Sequence, residues 1–258
     1  MIAVVAIYTL DRGNQAKTLE MAGDGSDSVE MLRVKVVERY PHDVESFTQG
    51  LVWHNGTLYE SSGMRGKSSL RQVELLSGQL QRKVALAPTL FGEGLARVGD
   101  RLVQLTWTSG KGLVYRRDDL QQIGEFSYPG QGWGLCYDGT HLIMSDGTAY
   151  LRFLDPTSFK QRGRIQVTIR GRPQTQINAL ECVGDKVYAN VWEYDEILRI
   201  DRETGRVEAI IDASGLLTPA QRGKVDVLNG IAYMPERKRF LLTGKYWPYL
   251  FEVDLVPR

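Results

Sequence analysis

The chain has 258 residues, 42% of them apolar and 24% charged, and a formal net charge of +1. That length can bury a large core, and the near-neutral balance offers no field that calls for nucleic acid or an anionic membrane. No apolar run is long enough to span a membrane.

Residues 1–30 stand apart from the rest. Met1–Ile7 is apolar but has no basic segment before it, and Asp11 follows soon after, so a complete signal peptide is not legible. Residues 22–28 are loop-like. We read 1–30 as an extension, either a leader remnant or a loosely packed arm, and 31–258 as a single domain. Leu32–Arg39 alternates as a strand does. A short pattern then recurs five times: Gln49-Gly50-Leu51, Glu93-Gly94-Leu95, Trp133-Gly134-Leu135, Asn178-Ala179-Leu180 and Asn229-Gly230-Ile231. The small residues are spaced by about 44, 40, 45 and 51 positions, close to the period of four-stranded propeller blades.

Each copy reads as short strands separated by turns. The third runs Gly134–Tyr137, turns at Asp138-Gly139, continues over His141–Ser145, turns at Asp146-Gly147 and resumes at Leu151–Asp155. The fourth gives Leu180–Val183, Lys186–Asn190, Glu196–Asp201 and Val207–Ile211. Such frequent turns exclude a parallel α/β fold. The one helical candidate is Pro219–Arg222, with Thr218 as N-cap, inside an insertion before the fifth copy. That copy supplies three strands, Ile231–Tyr233, Arg239–Thr243 and Leu250–Asp254. Leu32–Arg39 can supply the missing outer strand. The expected fold is all-β, a five-bladed propeller whose last blade is closed by the N-terminal strand. Cys136 and Cys182 fall one residue out of phase in neighbouring copies, where inner-strand core side chains are expected. They read as buried free thiols rather than a bridge, and leave the compartment open.

A radial array brings equivalent positions around one axis, so Gln49, Glu93, Trp133, Asn178 and Asn229 should face a common point. A second phase, thirteen residues after each small residue, holds Gly63, Trp107, Gly147, Trp192 and Thr243, with Lys245 close behind. A hairpin returns the chain to its start, so both phases share one rim, with Phe47 and Phe91 in the preceding turns. Singly, each has a plainer role: tryptophan packs blades, asparagine closes turns, lysine is solvated. Together, one acid, one amine, amides and aromatic walls suit a small polar ligand in an apolar cup. His42, His54 and His141 are not at equivalent phases, which argues against a zinc site.

The segments Phe47-Thr-Gln-Gly-Leu51, Tyr59-Glu-Ser-Ser-Gly63, Phe91-Gly-Glu-Gly94, Leu105-Thr-Trp107, Gly132-Trp-Gly-Leu135, Ser145-Asp-Gly147, Asn190-Val-Trp192, Leu228-Asn-Gly-Ile231 and Thr243-Gly-Lys-Tyr-Trp-Pro248 resemble, in order, the glutaminyl-peptide cyclotransferases of plant and bacterial type. One departure is Asn178-Ala-Leu-Glu181, where that family usually has Asn-Glu-Leu-Glu. The resemblance implies a five-bladed propeller that converts N-terminal glutamine to pyroglutamate with release of ammonia. It implies Glu93 as catalytic acid/base and Phe47, Gln49, Phe91, Trp107, Trp133, Asn178, Trp192 and Lys245 as the surrounding site. It implies no metal or organic cofactor, a glutaminyl peptide or protein as partner, and export from the bacterial cytoplasm. A monomer is expected.

In such a reaction the α-amine attacks the γ-amide carbon, and one carboxyl can take the amine proton and give it to the departing NH2. Aromatic walls would raise the pKa of Glu93, which suits both tasks. Lys245, Gln49 and Asn178 are each able to hold the amide oxygen. Two other readings use the same axis: a metal-dependent lactonase with Glu93, Asn178 and Asn229 around calcium, and a non-catalytic peptide-binding propeller.

Overall fold

The computed structural model describes residues 28–258. The readings of Met1–Ile7 and of residues 22–27 lie outside the described residues. Within them the chain is all-β, and no helix is long and apolar enough to cross a membrane. It enters on β1 (Glu30–Pro41) and lays down a four-stranded antiparallel unit, β2 (Thr48–His54), β3 (Thr57–Ser62), β4 (Ser69–Val73) and β5 (Leu80–Ala85). A second unit follows with β6 (Gly92–Val98), β7 (Arg101–Thr106), β8 (Lys111–Arg116) and β9 (Gln122–Ser127). The third is β10 (Leu135–Tyr137), β11 (Leu142–Met144), β12 (Tyr150–Leu154) and β13 (Gln161–Gln166). After a small hairpin, β14 (Thr168–Ile169) and β15 (Arg172–Pro173), come β16 (Ile177–Val183), β17 (Lys186–Val191), β18 (Glu196–Asp201) and β19 (Val207–Asp212). The short helix α1 (Pro219–Arg222) precedes β20 (Leu228–Met234), β21 (Arg239–Gly244) and β22 (Tyr249–Pro257).

The turn chemistry is local. Asn55 and Gly56 both have positive φ, 48° and 81°, as a two-residue hairpin with right-handed strand twist requires. Thr218 caps α1, and its backbone N–H donates to Gln221 Oε1 at 2.9 Å.

β1 completes the last unit by antiparallel pairing with β22, from Leu32 opposite Pro257 to Pro41 opposite Tyr249. It also pairs in parallel with β19, Glu30–Arg33 against Ala209–Asp212. The fourth and last units therefore share one eight-stranded sheet. The first strands of successive units, β2, β6, β10, β16 and β20, lie each against the next, and β20 returns to β2. Small residues permit that approach. A Cβ on Gly50 would come within 2.6 Å of Leu95 N, one on Gly94 within 2.5 Å of Leu135 N, and one on Gly134 within 2.0 Å of Asn178 O.

Among the described residues the buried apolar side chains form five clusters, each shared by two neighbouring units. Leu51 and Leu58 meet Ala232 and Leu241; Val52 and Leu70 meet Leu95 and Leu102; Val103 meets Leu142. Ile143 meets Val187, and Ile197 meets Phe240. Burial of this kind drives association of units that could not each hide an apolar face alone.

One expectation is corrected here. Cys136 of β10 and Cys182 of β16 are joined by a disulfide, their Cα atoms 5.5 Å apart, and are not free thiols. The innermost strands lie side by side, so nearly equivalent positions of neighbouring units face each other across the junction.

Candidate functional site

The residues just before the small positions do not follow regular strand alternation. The ladder shifts register between Thr48 and Gly50, between Gly92 and Leu95, between Ile177 and Leu180, and between Leu228 and Ile231. Each irregularity spans the position that carries Gln49, Glu93, Asn178 or Asn229. A bulge lets a side chain leave the pleat and re-aim, here toward one end of the ring. Trp133 precedes β10 and is held by its own N–H on Ser145 O at 3.0 Å.

The second phase arrives by equivalent backbone bonds. Gly63 N donates to Phe47 O, Trp107 N to Phe91 O, Trp192 N to Gln176 O, and Lys245 N to Val227 O, at 2.8 to 3.0 Å. Spacing alone puts Thr243 at this phase; the structure puts Lys245 there. The turn 235–238 between β20 and β21 is two residues longer than Asn55-Gly56, so the count slips by two. Met64, Glu193 and Tyr246, the next residues in three of these segments, have φ of 83°, 70° and 63°. Non-glycine residues in this region are strained and concentrate where geometry is functional.

These segments enclose a cavity of about 270 Å³ lined by Phe47, Gln49, Phe91, Glu93, Trp107, Trp133, Asn178, Trp192 and Lys245. All nine residues singled out from the sequence are thus brought together. Asn229 lies beneath them, fully buried, and donates to Gln49 Oε1 at 2.7 Å and to Thr48 O at 3.1 Å. Gln49 Nε2 in turn donates to Glu93 Oε1 at 2.9 Å. The Gln49 amide is thus held at both ends. Asn178 lines the same cavity, and its Oδ1 is buried without a hydrogen-bond partner.

The walls form an arc of edge-to-face rings, Tyr246–Phe47, Phe47–Phe91 and Phe91–Trp107, with centroids 5.2 to 5.8 Å apart. Trp133 and Trp192 continue it at 5.8 Å. Gln131 joins the two parts: its Oε1 accepts from the indole N–H of Trp107 at 2.7 Å and of Trp133 at 2.9 Å. Arg152 holds that loop by donating to the carbonyls of Pro129 and Gln131. Gln131 was not among the residues read from the sequence. It lies three before Gly134, the same offset at which Phe47 and Phe91 precede Gly50 and Gly94.

The electrostatics follow from burial. Glu93 is only 4% exposed, and loss of water pushes its carboxyl well above the usual carboxylate range, while the Lys245 ammonium pulls it partly back. Lys245 is pushed below its usual range by the same burial, against the pull of Glu93 and Asp226. Its Nζ sits over the Phe47 ring, 4.6 Å from the centroid. The cup thus holds an acid and an amine whose protonation states lie closer in energy than in water.

The chain is similar to known proteins over most of its length. The family model for glutamine cyclotransferase matches residues 3–255. The glutaminyl-peptide cyclotransferase of Arabidopsis thaliana is 40% identical over 228 residues, which is 86% of this chain and 71% of that protein. The crystal structure of Myxococcus xanthus glutaminyl cyclase matches with a TM-score of 0.84 and 42% identity, over 90% of this chain and 100% of that one.

Proposed function

The chain belongs to the glutamine cyclotransferase family, and we propose that it cyclises the N-terminal glutamine of peptides and proteins to pyroglutamate, releasing ammonia. The observation that carries this reading is the buried Glu93 carboxyl, tethered by one amide and raised in pKa inside an aromatic cup.

The cup folds the glutamine side chain back so that its α-amine meets its own γ-amide carbon, and ring closure is intramolecular. Glu93 accepts a proton from the attacking amine and delivers it to the departing NH2, leaving as ammonia. A raised pKa keeps both directions of transfer close in energy. Gln49 fixes the carboxyl through one N–H and is itself held by Asn229. Lys245, the cation of the cup, stabilises the oxygen of the γ-amide as charge develops, and Asn178 on the cup wall is a further amide able to hold the substrate. Phe47, Phe91 and the three tryptophans exclude water that would hydrolyse the amide.

The same reading extends to the frame. We infer that the five four-stranded units are the blades of a five-bladed β-propeller, with β1 closing the last blade and residues 31–258 forming one monomeric domain. The ring of first strands and the five shared clusters support it. The Cys136–Cys182 bond supports an oxidising, exported setting.

The test is an ammonia-release assay on Gln-Gln or a Gln-naphthylamide. The protein is expected to release ammonia and form the pyroglutamyl product, and Glu93→Gln to abolish this with an unchanged circular dichroism spectrum. Turnover of the wild-type order in that variant would sink the shuttle.

A further inference from the structure

Glu60, the charged residue of Tyr59-Glu-Ser-Ser-Gly63, has no part in the chemistry above, yet it is 1% exposed. Its Oε1 accepts from Ser46 Oγ at 2.7 Å, Thr48 Oγ1 at 2.7 Å and His42 Nε2 at 3.0 Å. Its Oε2 faces Arg71 Nη1 at 3.4 Å, and Arg71 also pairs with Asp43. His42 Nδ1 donates to Trp247 O at 2.7 Å. Both ring nitrogens of His42 therefore face acceptors and both carry protons, giving an imidazolium. Two carboxylates and two cations form a neutral cluster, in which Glu60, His42 and Arg71 are buried and Asp43 is partly exposed.

The location of the cluster matters more than its charge. Ser46 and Thr48 flank Phe47, and Thr48 immediately precedes Gln49. The Phe47 N–H is held by Ser62 Oγ at 3.1 Å. Trp247 belongs to the segment that carries Lys245, and Tyr246 N donates to Ser46 O at 2.8 Å. One carboxylate thus gathers the start of the first unit and, through His42, the loop of the last unit. These are the first and last units of the ring, and they contribute Gln49, which bonds Glu93, and Lys245, whose charge acts on it.

We propose that Glu60 is a positioning residue for the cyclisation: by holding the Thr48 hydroxyl it sets the place of the Gln49 amide, and through that amide the place of the Glu93 carboxyl. Burial alone does not explain the arrangement. A buried ion cluster is weak evidence for stability, since apolar replacements often serve as well. Three donors on a single oxygen, two of them on residues either side of Phe47, instead fix a short stretch of backbone. A displacement on the order of 1 Å at a reacting group can cost about 100-fold in rate, so the alignment of that stretch is felt at Glu93.

This inference rests on the cyclotransferase reading, and the experiment separates the two. Glu60→Gln leaves His42 without its carboxylate and Arg71 with Asp43 alone, and can fail to fold, so the working variant is Thr48→Val, which keeps the shape and removes the donor. Ser46→Ala serves as a second probe of the same oxygen. Ammonia release from Gln-Gln is measured for wild type, Thr48→Val, Ser46→Ala, Gln49→Ala and Thr48→Val/Gln49→Ala, each with KM and kcat resolved and folding checked by thermal melt. Thr48→Val is expected to lower kcat by about tenfold with KM changed less than about twofold, and Ser46→Ala to lower it less. In the Gln49→Ala background Thr48→Val is expected to add nothing, because the group it positions is gone. Wild-type kcat in a folded Thr48→Val protein, or losses that multiply in full in the double variant, would overturn the positioning role. An inactive wild type would instead overturn the cyclotransferase reading itself.

Discussion

Glu60 and Glu93 sit on neighbouring units, and both are cut off from water, yet they are driven in opposite directions. Glu60 collects three hydrogen-bond donors on one oxygen and faces Arg71, which holds it down at about 2 despite burial. Glu93 has one amide donor and a more distant ammonium, and burial wins. Glu181, toward the other end of the ring, has a single backbone donor from Tyr233 and is pushed up to about 8. The nearby cations and the donors, rather than the depth, decide the charge of a buried carboxyl. A fully satisfied acid anchors backbone; an under-satisfied one is free to exchange a proton.

The sharpest way to break this comparison is one substitution made at both sites. Glu93→Gln is expected to lower kcat by about 10³-fold or more, read by ammonia release. Its stability should not fall. A carboxyl whose folded pKa is raised stabilises only while protonated, and that contribution is lost as pH rises through the folded value, so at pH 8 the amide should melt at the same temperature or higher. Glu60→Gln should do the reverse to stability and lose about 3–5 kcal/mol in a denaturant melt, because the buried His42 loses its carboxylate and Arg71 keeps only Asp43. The pH sign is also opposite. The Glu60 contribution is present above the unfolded carboxyl value and fades as pH falls toward about 2.

Lys245→Met sharpens the other half. Its charge pulls the Glu93 pKa down, so removing it should raise that pKa further and move the acid limb of kcat/KM to higher pH, with kcat lower by about 10–100-fold. An unmoved limb would show that the two groups do not sense each other. A control away from both acids is the Cys136→Ser/Cys182→Ser pair. It should cost about 2–4 kcal/mol in a thermal or denaturant melt and leave kcat at 25 °C unchanged. The smallest effect is expected at Gln131→Ala. Losing one acceptor shared by two indoles should raise KM about two- to fivefold with little change in kcat.

The repeat made much of this legible. A glycine or alanine before an apolar run marks where first strands crowd the axis, and the residue before it turns inward, at a bulge for Gln49, Glu93 and Asn178 and ahead of the strand for Trp133, so all four are legible by phase. What phase could not supply was anything set by contact between units. The Cys136–Cys182 bond needs two strands to face each other, and strand-by-strand reading assigned each cysteine to its own sheet. The parallel contact of β1 with β19 lies between units with no sequence signal of its own. By phase alone Lys245 is legible only as a neighbour of Thr243, because one longer turn shifts the count. Glu60 stands within a motif, but its role depends on His42, Ser46 and Thr48 converging on one oxygen, which the repeat does not signal.

The double pairing of β1 carries a consequence for the order of assembly. This strand leaves the ribosome early, but its partners are Ala209–Asp212 and Tyr249–Pro257, near the other end of the described chain. Contacts of such long range form slowly. A nascent chain can fold several sheets and even raise the tryptophan walls while Lys245 is still unsynthesised. In the proposed mechanism, competence therefore waits for the last unit, which brings Lys245 and closes the two clusters it shares with its neighbours.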